Sequence, residues 1–280
     1  MMFKNLLGIK IIVFLVIAIL ASVLIFKDFL LGKQTETYRY TLTKSWQLPD
    51  ILEEISGMIH LDENRLICVQ DEDGYLFIYN LKSSQIEQKI KFGGGGDYES
   101  ITKVKDTIYV LRSDGKLFEI KDFLKNKKIE TYTFEVNSKY NFEGLYYDSQ
   151  GNRLLMSPKY KLKRKYDTKY IFSFDLAEKR FNEEPVYELK LKHPIFENHP
   201  EFMPASLTQH PATKNFYMLD GRHRRLLILD STFKPLKIYK LNISELPQPE
   251  SLSFYEDKIF ISTEADRSIL QHIYEITLEE

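Results

Sequence analysis

The sequence predicts an all-β fold: a single β-propeller of four-stranded antiparallel blades, preceded by one N-terminal transmembrane helix. Three observations predict it. A short motif recurs about every 44 residues, each repeat carries apolar runs of strand length, and the N-terminus holds an uncharged run of 16 residues. Aromatic residues form 14% of the 280-residue chain, with 18 Tyr and 19 Phe, which is typical of half-buried strands.

The repeated motif consists of small residues followed by one large aliphatic residue. Its five copies are spaced by 43, 44, 62 and 45 residues, and a period near 40 to 50 indicates tandem supersecondary units. We attribute the long interval to two polar insertions, at residues 159–169 and 193–204. The copies are residues 54–58 (EISGM), 97–101 (DYESI), 141–145 (NFEGL), 203–207 (MPASL) and 248–252 (QPESL).

Two further apolar runs and a polar-alternating run follow the motif in the first four repeats, which gives four strands per blade. Five blades are predicted, with six as the alternative. The fifth repeat lacks its fourth strand, because the chain stops four residues after Ile276. Residues 38–43 resemble residues 236–241 of the preceding repeat, so we expect the N-terminal strand to complete the last blade and close the ring.

The N-terminal uncharged run, residues 11–26, lies between Lys10 and Lys27 and is close to the length of a membrane-spanning helix. Lys4, Lys10 and the amino terminus favour an N-in orientation. We therefore divide the chain into a membrane anchor (1–33) and a propeller domain (34–280) on the periplasmic or extracytoplasmic side of a single-pass cell-membrane protein. A cleaved signal peptide is the alternative, since Lys4 and Lys10 also form a basic n-region.

The charge and cysteine content exclude some functional classes. The 39 basic and 40 acidic residues give a net charge of −1, so no overall field attracts nucleic acid, and we expect no nucleic-acid partner. Cys68 is the only cysteine, which excludes an intrachain disulfide and a cysteine-based zinc site. Any charged site must therefore be local.

The motif copies at 54–58, 97–101 and 141–145, together with PESL at 249–252, resemble the SdiA-regulated (YjiK-like) bacterial propellers, distant relatives of NHL-repeat proteins. The resemblance runs from about residue 48 to the C-terminus, and the family often carries an N-terminal membrane segment. It implies a propeller of five or six blades, a calcium site near the axis and no established catalytic activity. The fourth repeat departs from the pattern, because MPAS at 203–206 has lost its acidic residue.

Four repeats carry a glutamate in the motif, at the point where the innermost strand of each blade enters the central channel. We expect these carboxylates to converge on one axis, where repulsion raises their pKa values unless a cation neutralises them. Oxygen ligands of this kind suit Ca²⁺ better than Zn²⁺. The alternative is that they only bind backbone amides or channel water. The predicted metal ligands are Glu54, Glu99, Glu143 and Glu250.

Loops that join the second and third strands open on the same face. They add a ring of mixed charge that could bind a small ligand: Asp71, Arg112, Lys159, Arg222 and Glu264. Lys159 and Glu264 rank first, because family members tend to keep a basic and an acidic residue at these places. For Arg112 and Arg222 the alternative is a solvated loop charge.

The sequence thus predicts a calcium-binding, non-enzymatic module at the cell envelope that recognises an unknown small molecule or an envelope protein. The alternative is a metal-dependent, lactonase-like hydrolase, which would need an axial metal with open coordination positions. A scaffold without metal is the third possibility. No nucleophile motif of the Gly-x-Ser-x-Gly kind occurs in the chain.

Overall fold

The computed structural model describes residues 39–134, 140–161, 167–196, 201–266 and 269–279. These residues form twenty strands and two short 3₁₀ turns, Asp50–Leu52 and Pro194–Phe196. In chain order the strands are β1 (Tyr40–Gln47), β2 (Ile55–His60), β3 (Arg65–Gln70), β4 (Asp73–Asn80), β5 (Gln85–Gly95), β6 (Tyr98–Val104), β7 (Thr107–Arg112), β8 (Lys116–Lys121), β9 (Lys128–Thr133), β10 (Tyr140–Asp148), β11 (Arg153–Lys161), β12 (Thr168–Asp175), β13 (Arg180–Lys190), β14 (Pro204–Gln209), β15 (Phe216–Asp220), β16 (Arg225–Leu229), β17 (Pro235–Lys240), β18 (Pro249–Tyr255), β19 (Lys258–Thr263) and β20 (His272–Leu278).

The strands pair into five antiparallel sheets of four strands, which are the blades of a propeller. Blades 1 to 4 take consecutive strands, β2–β5, β6–β9, β10–β13 and β14–β17, and blade 5 has the order β18-β19-β20-β1. The first strand of each blade contacts the first strands of the two neighbouring blades, and these five strands surround the central axis. The predicted five-bladed propeller is confirmed.

Ring closure depends on the N-terminal strand β1, which pairs with β20 from Tyr40 opposite Leu278 to Gln47 opposite His272. Tyr40 also reaches the neighbouring blade, because its hydroxyl donates to Glu245 at 2.7 Å. A strand from the start of the chain therefore completes the last blade, as predicted, and covers an edge that would otherwise be exposed.

The core consists of five apolar clusters, and each of them lies between two neighbouring blades. Between blades 1 and 2, for example, Val69 and Leu76 pack with Val110 and Phe118. Both faces of each sheet are therefore buried, which explains the continuous apolar runs of the second and third strands. The same arrangement recurs at the other four blade boundaries.

Serine side chains link the innermost strands of neighbouring blades. At three of the five boundaries, a serine hydroxyl accepts a hydrogen bond from a backbone amide of the next blade. The bonds are Ser100 Oγ to Leu145 N (3.1 Å), Ser206 Oγ to Leu252 N (3.1 Å) and Ser251 Oγ to Met58 N (2.9 Å). We call this level of the channel the serine ring.

The predicted membrane anchor, residues 11–26, lies outside the described residues. Within the described part of the chain, no helix is both long and apolar enough to cross a membrane. The anchor therefore stays a prediction.

Candidate functional site

Each innermost strand begins with a β-bulge at the same position of the repeat. The pairing of β2, β6, β10, β14 and β18 with their neighbours skips one residue near the start of the strand. A bulged residue is left out of the ladder, and bulges commonly redirect side chains near functional sites. The skipped residues form what we call the bulge row: Ser56, Glu99, Glu143, Ala205 and Glu250.

Three of the four predicted carboxylates, Glu99, Glu143 and Glu250, lie in the bulge row. Glu54 does not share their position, because it lies two residues earlier, before β2, and is exposed. Ser56 occupies the bulge of blade 1 instead and donates a hydrogen bond to Tyr98 O at 2.6 Å. The strand register therefore shows that the four glutamates do not occupy equivalent positions, contrary to the expectation from the sequence. The role of Glu54 as a ligand stays a prediction.

A second row lies on the same face, on the second strand of each blade: each member follows the residue that pairs with the residue before the bulge. Counting from the register, this mouth row contains Asp71, Ser113, Lys159, Gly221 and Glu264. Three of its backbone amides make the same bond, to the carbonyl two residues before the bulge: Asp71 to Glu54, Ser113 to Asp97 and Glu264 to Gln248. The repeat therefore fixes the backbone of both rows.

The mouth row separates the predicted ligand-binding residues into two groups. Lys159 and Glu264, which the sequence ranked first, belong to it together with Asp71. Arg112 lies one residue before the row and pairs with Asp114 at 2.5 Å. Arg222 lies one residue after the row and is exposed. Arg112 also interacts electrostatically with Asp97. Neither arginine belongs to the mouth row, and a ligand-binding role for them stays a prediction.

Lys159 is the internal counterion of this site. Its Nζ lies 3.2 Å from Glu143 Oε1, and it also interacts electrostatically with Glu250 and Glu99. Although burial opposes the charged form, these carboxylates raise the pKa of Lys159, so it is an ammonium at neutral pH. One positive charge is thus held among the bulge-row glutamates.

The carboxylates around Lys159 are incompletely neutralised. Burial raises the pKa of Glu99 far above its usual range, and the charges of Glu143 and Asp97 raise it further. Burial likewise raises the pKa of Glu143, although Lys159 opposes this shift. Ionised carboxylates are therefore costly here, because their mutual repulsion adds to the loss of water.

The acidic residues of the mouth row also have raised pKa values. Burial, with the charges of Glu54 and Asp97, raises the pKa of Asp71 to about 6. Burial and Glu250 raise the pKa of Glu264, whose carboxylate accepts a long hydrogen bond from Gln248, at 3.4 Å. The Oδ1 atom of Asp71 is buried and has no hydrogen-bond partner.

We define the acidic mouth as the carboxyl groups of the bulge row and the mouth row, the two acidic residues that precede a bulge by two positions, and Lys159. Its members are seven carboxyl groups and one ammonium: Glu54, Asp71, Asp97, Glu99, Glu143, Glu250, Glu264 and Lys159. At its border, Glu72 interacts with Asp71 and Arg112 interacts with Asp97.

The donor set fits Ca²⁺, because all of its acidic ligands are hard oxygens and the orphaned Asp71 Oδ1 offers a free acceptor. Within the described residues, however, no three Asp, Glu, His or Cys side chains are already grouped closely enough to hold a metal ion. Binding would require the carboxylates to turn toward one point. The calcium site therefore remains a prediction that the chemistry supports.

Sequence reasoning missed two contributors to the acidic mouth. Asp97 occupies the same motif position as Glu54, and its acidic character was the available signal. Gly221 has no side chain that could mark it as a site residue in the sequence. A β-carbon built on it would lie 2.9 Å from Pro249 O and 3.4 Å from Glu250 Oε1. The absence of a side chain at Gly221 thus leaves room for the Glu250 carboxylate.

Similar solved structures confirm the fold alone. The glutaminyl cyclase of Myxococcus xanthus aligns with a TM-score of 0.61 at 12% identity, covering 86% of this chain and 96% of that one. The PQQ-bound aldose sugar dehydrogenase of Streptomyces coelicolor aligns with a TM-score of 0.53 at 11% identity, covering 87% and 99%. A luciferin-regenerating enzyme aligns with a TM-score of 0.51 at 13% identity, covering 84% and 95%.

Sequence comparison is more specific. A search of curated proteins found no match. The family described as SdiA-regulated matches residues 32–267, which include the five innermost strands and both rows of the acidic mouth. This chain therefore belongs to the SdiA-regulated family.

Proposed function

We propose that the chain is a membrane-anchored, extracytoplasmic binding module that takes up Ca²⁺ at the acidic mouth and does not act as an enzyme. The observation that carries the proposal is the crowding of seven carboxyl groups around one ammonium, where burial and mutual repulsion raise the pKa values of five of them, Asp71, Glu99, Glu143, Glu250 and Glu264. Repulsion of this kind is relieved when a cation binds, so the folded propeller would gain stability from the ion.

Ligands for the ion would come from both rows. Glu99, Glu143 and Glu250 belong to three different blades, so one ion bound by them would link those blades near the axis. Asp71 and Glu264 of the mouth row could add further oxygens. The ion would supply charge neutralisation and rigidity, and Lys159 would compete with it for Glu143, since its Nζ lies 3.2 Å from that carboxylate.

Affinity for Ca²⁺ is testable by thermal unfolding of the full chain in a mild detergent. At a Ca²⁺ concentration a hundredfold above its Kd, the wild type should gain about 2.7 kcal/mol of unfolding free energy over the same sample in EDTA. The Glu143→Gln variant should gain far less, because the change removes a ligand and a charge. Mg²⁺, which dehydrates reluctantly, should stabilise the wild type less than Ca²⁺ does.

Glu188→Gln is the matched control for the Ca²⁺ experiment. Glu188 is exposed on an outer strand and pairs only with Lys190. This variant should keep the full Ca²⁺ gain. A wild type that shows no Ca²⁺-dependent shift, together with a stabilised Glu143→Gln variant, would contradict the proposal and leave the acidic mouth as a repulsive cluster.

The hydrolase alternative can be decided with the same samples. A catalytic metal would give Ca²⁺-dependent hydrolysis of simple lactones that Glu143→Gln abolishes. A binding module gives the Ca²⁺-dependent stabilisation without turnover.

The predicted anchor is testable by fractionation with a C-terminal topology reporter. The full chain should stay with membranes after carbonate washing, and the reporter should be active outside the cytoplasm. Recovery of a soluble product shortened by roughly 20 to 30 residues would establish a cleaved signal peptide instead.

A further inference from the structure

A cavity lies at the end of the channel opposite the acidic mouth. The innermost strands all enter at the acidic mouth, so their later residues surround the other opening. There they line a cavity of about 380 Å³, a volume within the usual range for small-molecule sites. We call this cavity the channel base. Its wall includes Met58, Ile101, Leu145, Leu207 and Leu252, the aliphatic residues that end the repeated motif.

The serine ring borders the channel base, and it is incomplete. Three of its five amides are bonded to a serine of the neighbouring blade, whereas the equivalent amides of Ile101 and Leu207 face Gly57 and Gly144. A β-carbon built on Gly57 would lie 3.1 Å from Ile101 N, and one built on Gly144 would lie 3.2 Å from Leu207 N. No serine hydroxyl is therefore supplied to these two N–H donors.

Two buried hydroxyl groups of this region lack hydrogen-bond partners. Ser253, which lines the cavity, is only 5% exposed, and its Oγ is buried without a hydrogen-bond partner. Ser157 Oγ, next to Gly144, is likewise buried without a hydrogen-bond partner. Since burying a hydroxyl without a hydrogen-bond partner is unfavourable, such groups are expected where a ligand or water completes them.

His60 supplies the complementary acceptor. Its Nδ1 contacts Asp62 O at 3.3 Å, which assigns the proton to Nδ1, and its Nε2 is buried without a partner. Burial lowers the pKa of His60 to about 4, so the ring is neutral and Nε2 keeps its lone pair at neutral pH. The wall thus offers donors together with one acceptor.

Charge decides the class of ligand. The unpaired groups of this wall, the Ser253 hydroxyl and the neutral His60 ring, carry no charge, so they offer no counterion to a charged ligand that would lose its water on binding. The aromatic rings of Phe254, Tyr255 and Tyr146 line the same cavity and suit an apolar body. We propose that the channel base is a second binding site, for a small uncharged molecule that combines an amide or similar carbonyl group with an apolar body.

Benzamide and benzoate form a matched pair of probes, because they share size and shape and differ in charge. Binding to the full chain in detergent with EDTA can be measured by ligand-observed NMR. Benzamide should bind, and benzoate should bind at least tenfold more weakly. Ser253→Ala should weaken benzamide binding about fivefold while leaving the melting temperature at or above that of the wild type, because the hydroxyl has no partner to lose.

Ser83→Ala, at an exposed turn position, is the control and should leave benzamide binding unchanged. Equal binding of the two probes, absence of benzamide binding, or an unchanged affinity in Ser253→Ala would each overturn the proposal. Ca²⁺-dependent melting of the same samples reports on the acidic mouth separately, so failure of one site is distinguishable from failure of the other.

Discussion

Two buried glutamates of this propeller, Glu119 and Glu143, have the same exposure and opposite surroundings. Each is 2% exposed. Glu119 accepts hydrogen bonds from Lys179 Nζ at 2.6 Å, Tyr109 Oη at 2.5 Å and Tyr132 Oη at 2.8 Å. Glu143 has Lys159 at 3.2 Å and is surrounded by other carboxylates.

The pKa values of the two glutamates move in opposite directions. Burial opposes ionisation of Glu119, but its three donors prevail and lower its pKa to about 2. Burial and the charge of Glu250 raise the pKa of Glu143, against the effect of Lys159. The comparison indicates that Glu119 is a structural charge with its partners built in, whereas the surroundings of Glu143 oppose its ionisation, which is the condition expected of the cation site that we propose.

The largest expected effect tests whether Glu119 is a structural charge. Glu119→Ala should lower the free energy of unfolding by about 3 kcal/mol, because it strands Lys179 and two tyrosine hydroxyls at a partly buried position. Urea denaturation measures this loss. Glu130→Ala, on the exposed side of the same network, should leave the stability close to that of the wild type, because water screens an exposed ion pair. Equal effects of the two variants would show that Glu119 is not a structural charge.

A smaller effect is expected from pH. The folded-state pKa values of Glu143, Glu250 and Glu264 lie above the ordinary 4.5, so the folded chain binds more protons than the unfolded chain above that pH. Stability in EDTA should therefore fall as the pH rises from 5 to 8, by about 2 kcal/mol. Thermal melting across this range measures the fall. Saturating Ca²⁺ should reduce it, and a stability that rises with pH in EDTA would contradict the comparison.

The smallest expected effect tests whether Glu143 belongs to a group of mutually repelling carboxyl groups. In EDTA, Glu143→Gln should raise the free energy of unfolding by about 1 kcal/mol, because it removes one member of a repulsive group while the amide can still accept a hydrogen bond from Lys159. Glu188→Gln should stay within about 0.5 kcal/mol of the wild type under the same conditions. A destabilised Glu143→Gln variant would mean that the pair with Lys159 outweighs the repulsion.

Much of the fold could be predicted because each blade corresponds to one copy of a sequence repeat. The spacing of the motif gave five blades, and the missing strand after Ile276 pointed to the strand β1 that closes the ring. Both inferences need only the rule that each blade has four strands and that sheet edges must be covered. The predicted site residues Glu99, Glu143, Glu250, Lys159 and Glu264 also lie on the expected face for this reason.

Other features depended on the register and on contacts between blades. Acidic character alone made Glu54 look equivalent to Glu99, but the bulge of blade 1 holds Ser56, because a one-residue shift in pairing decides which side chain leaves the ladder. Lys159 lies on β11 and Glu143 lies on the neighbouring strand β10. Their ion pair therefore depends on how these two strands are aligned.

By itself, the sequence determined the number of blades, the closure of the ring and the family, because these follow from periodicity and strand count. Only the tertiary structure decided that Lys159 lies among the carboxylates, that Glu119 is neutralised while Glu143 is not, and that two amides of the serine ring face Gly57 and Gly144. These features arise where residues from different blades meet around one axis, and the distances between such residues are not encoded in their spacing along the chain.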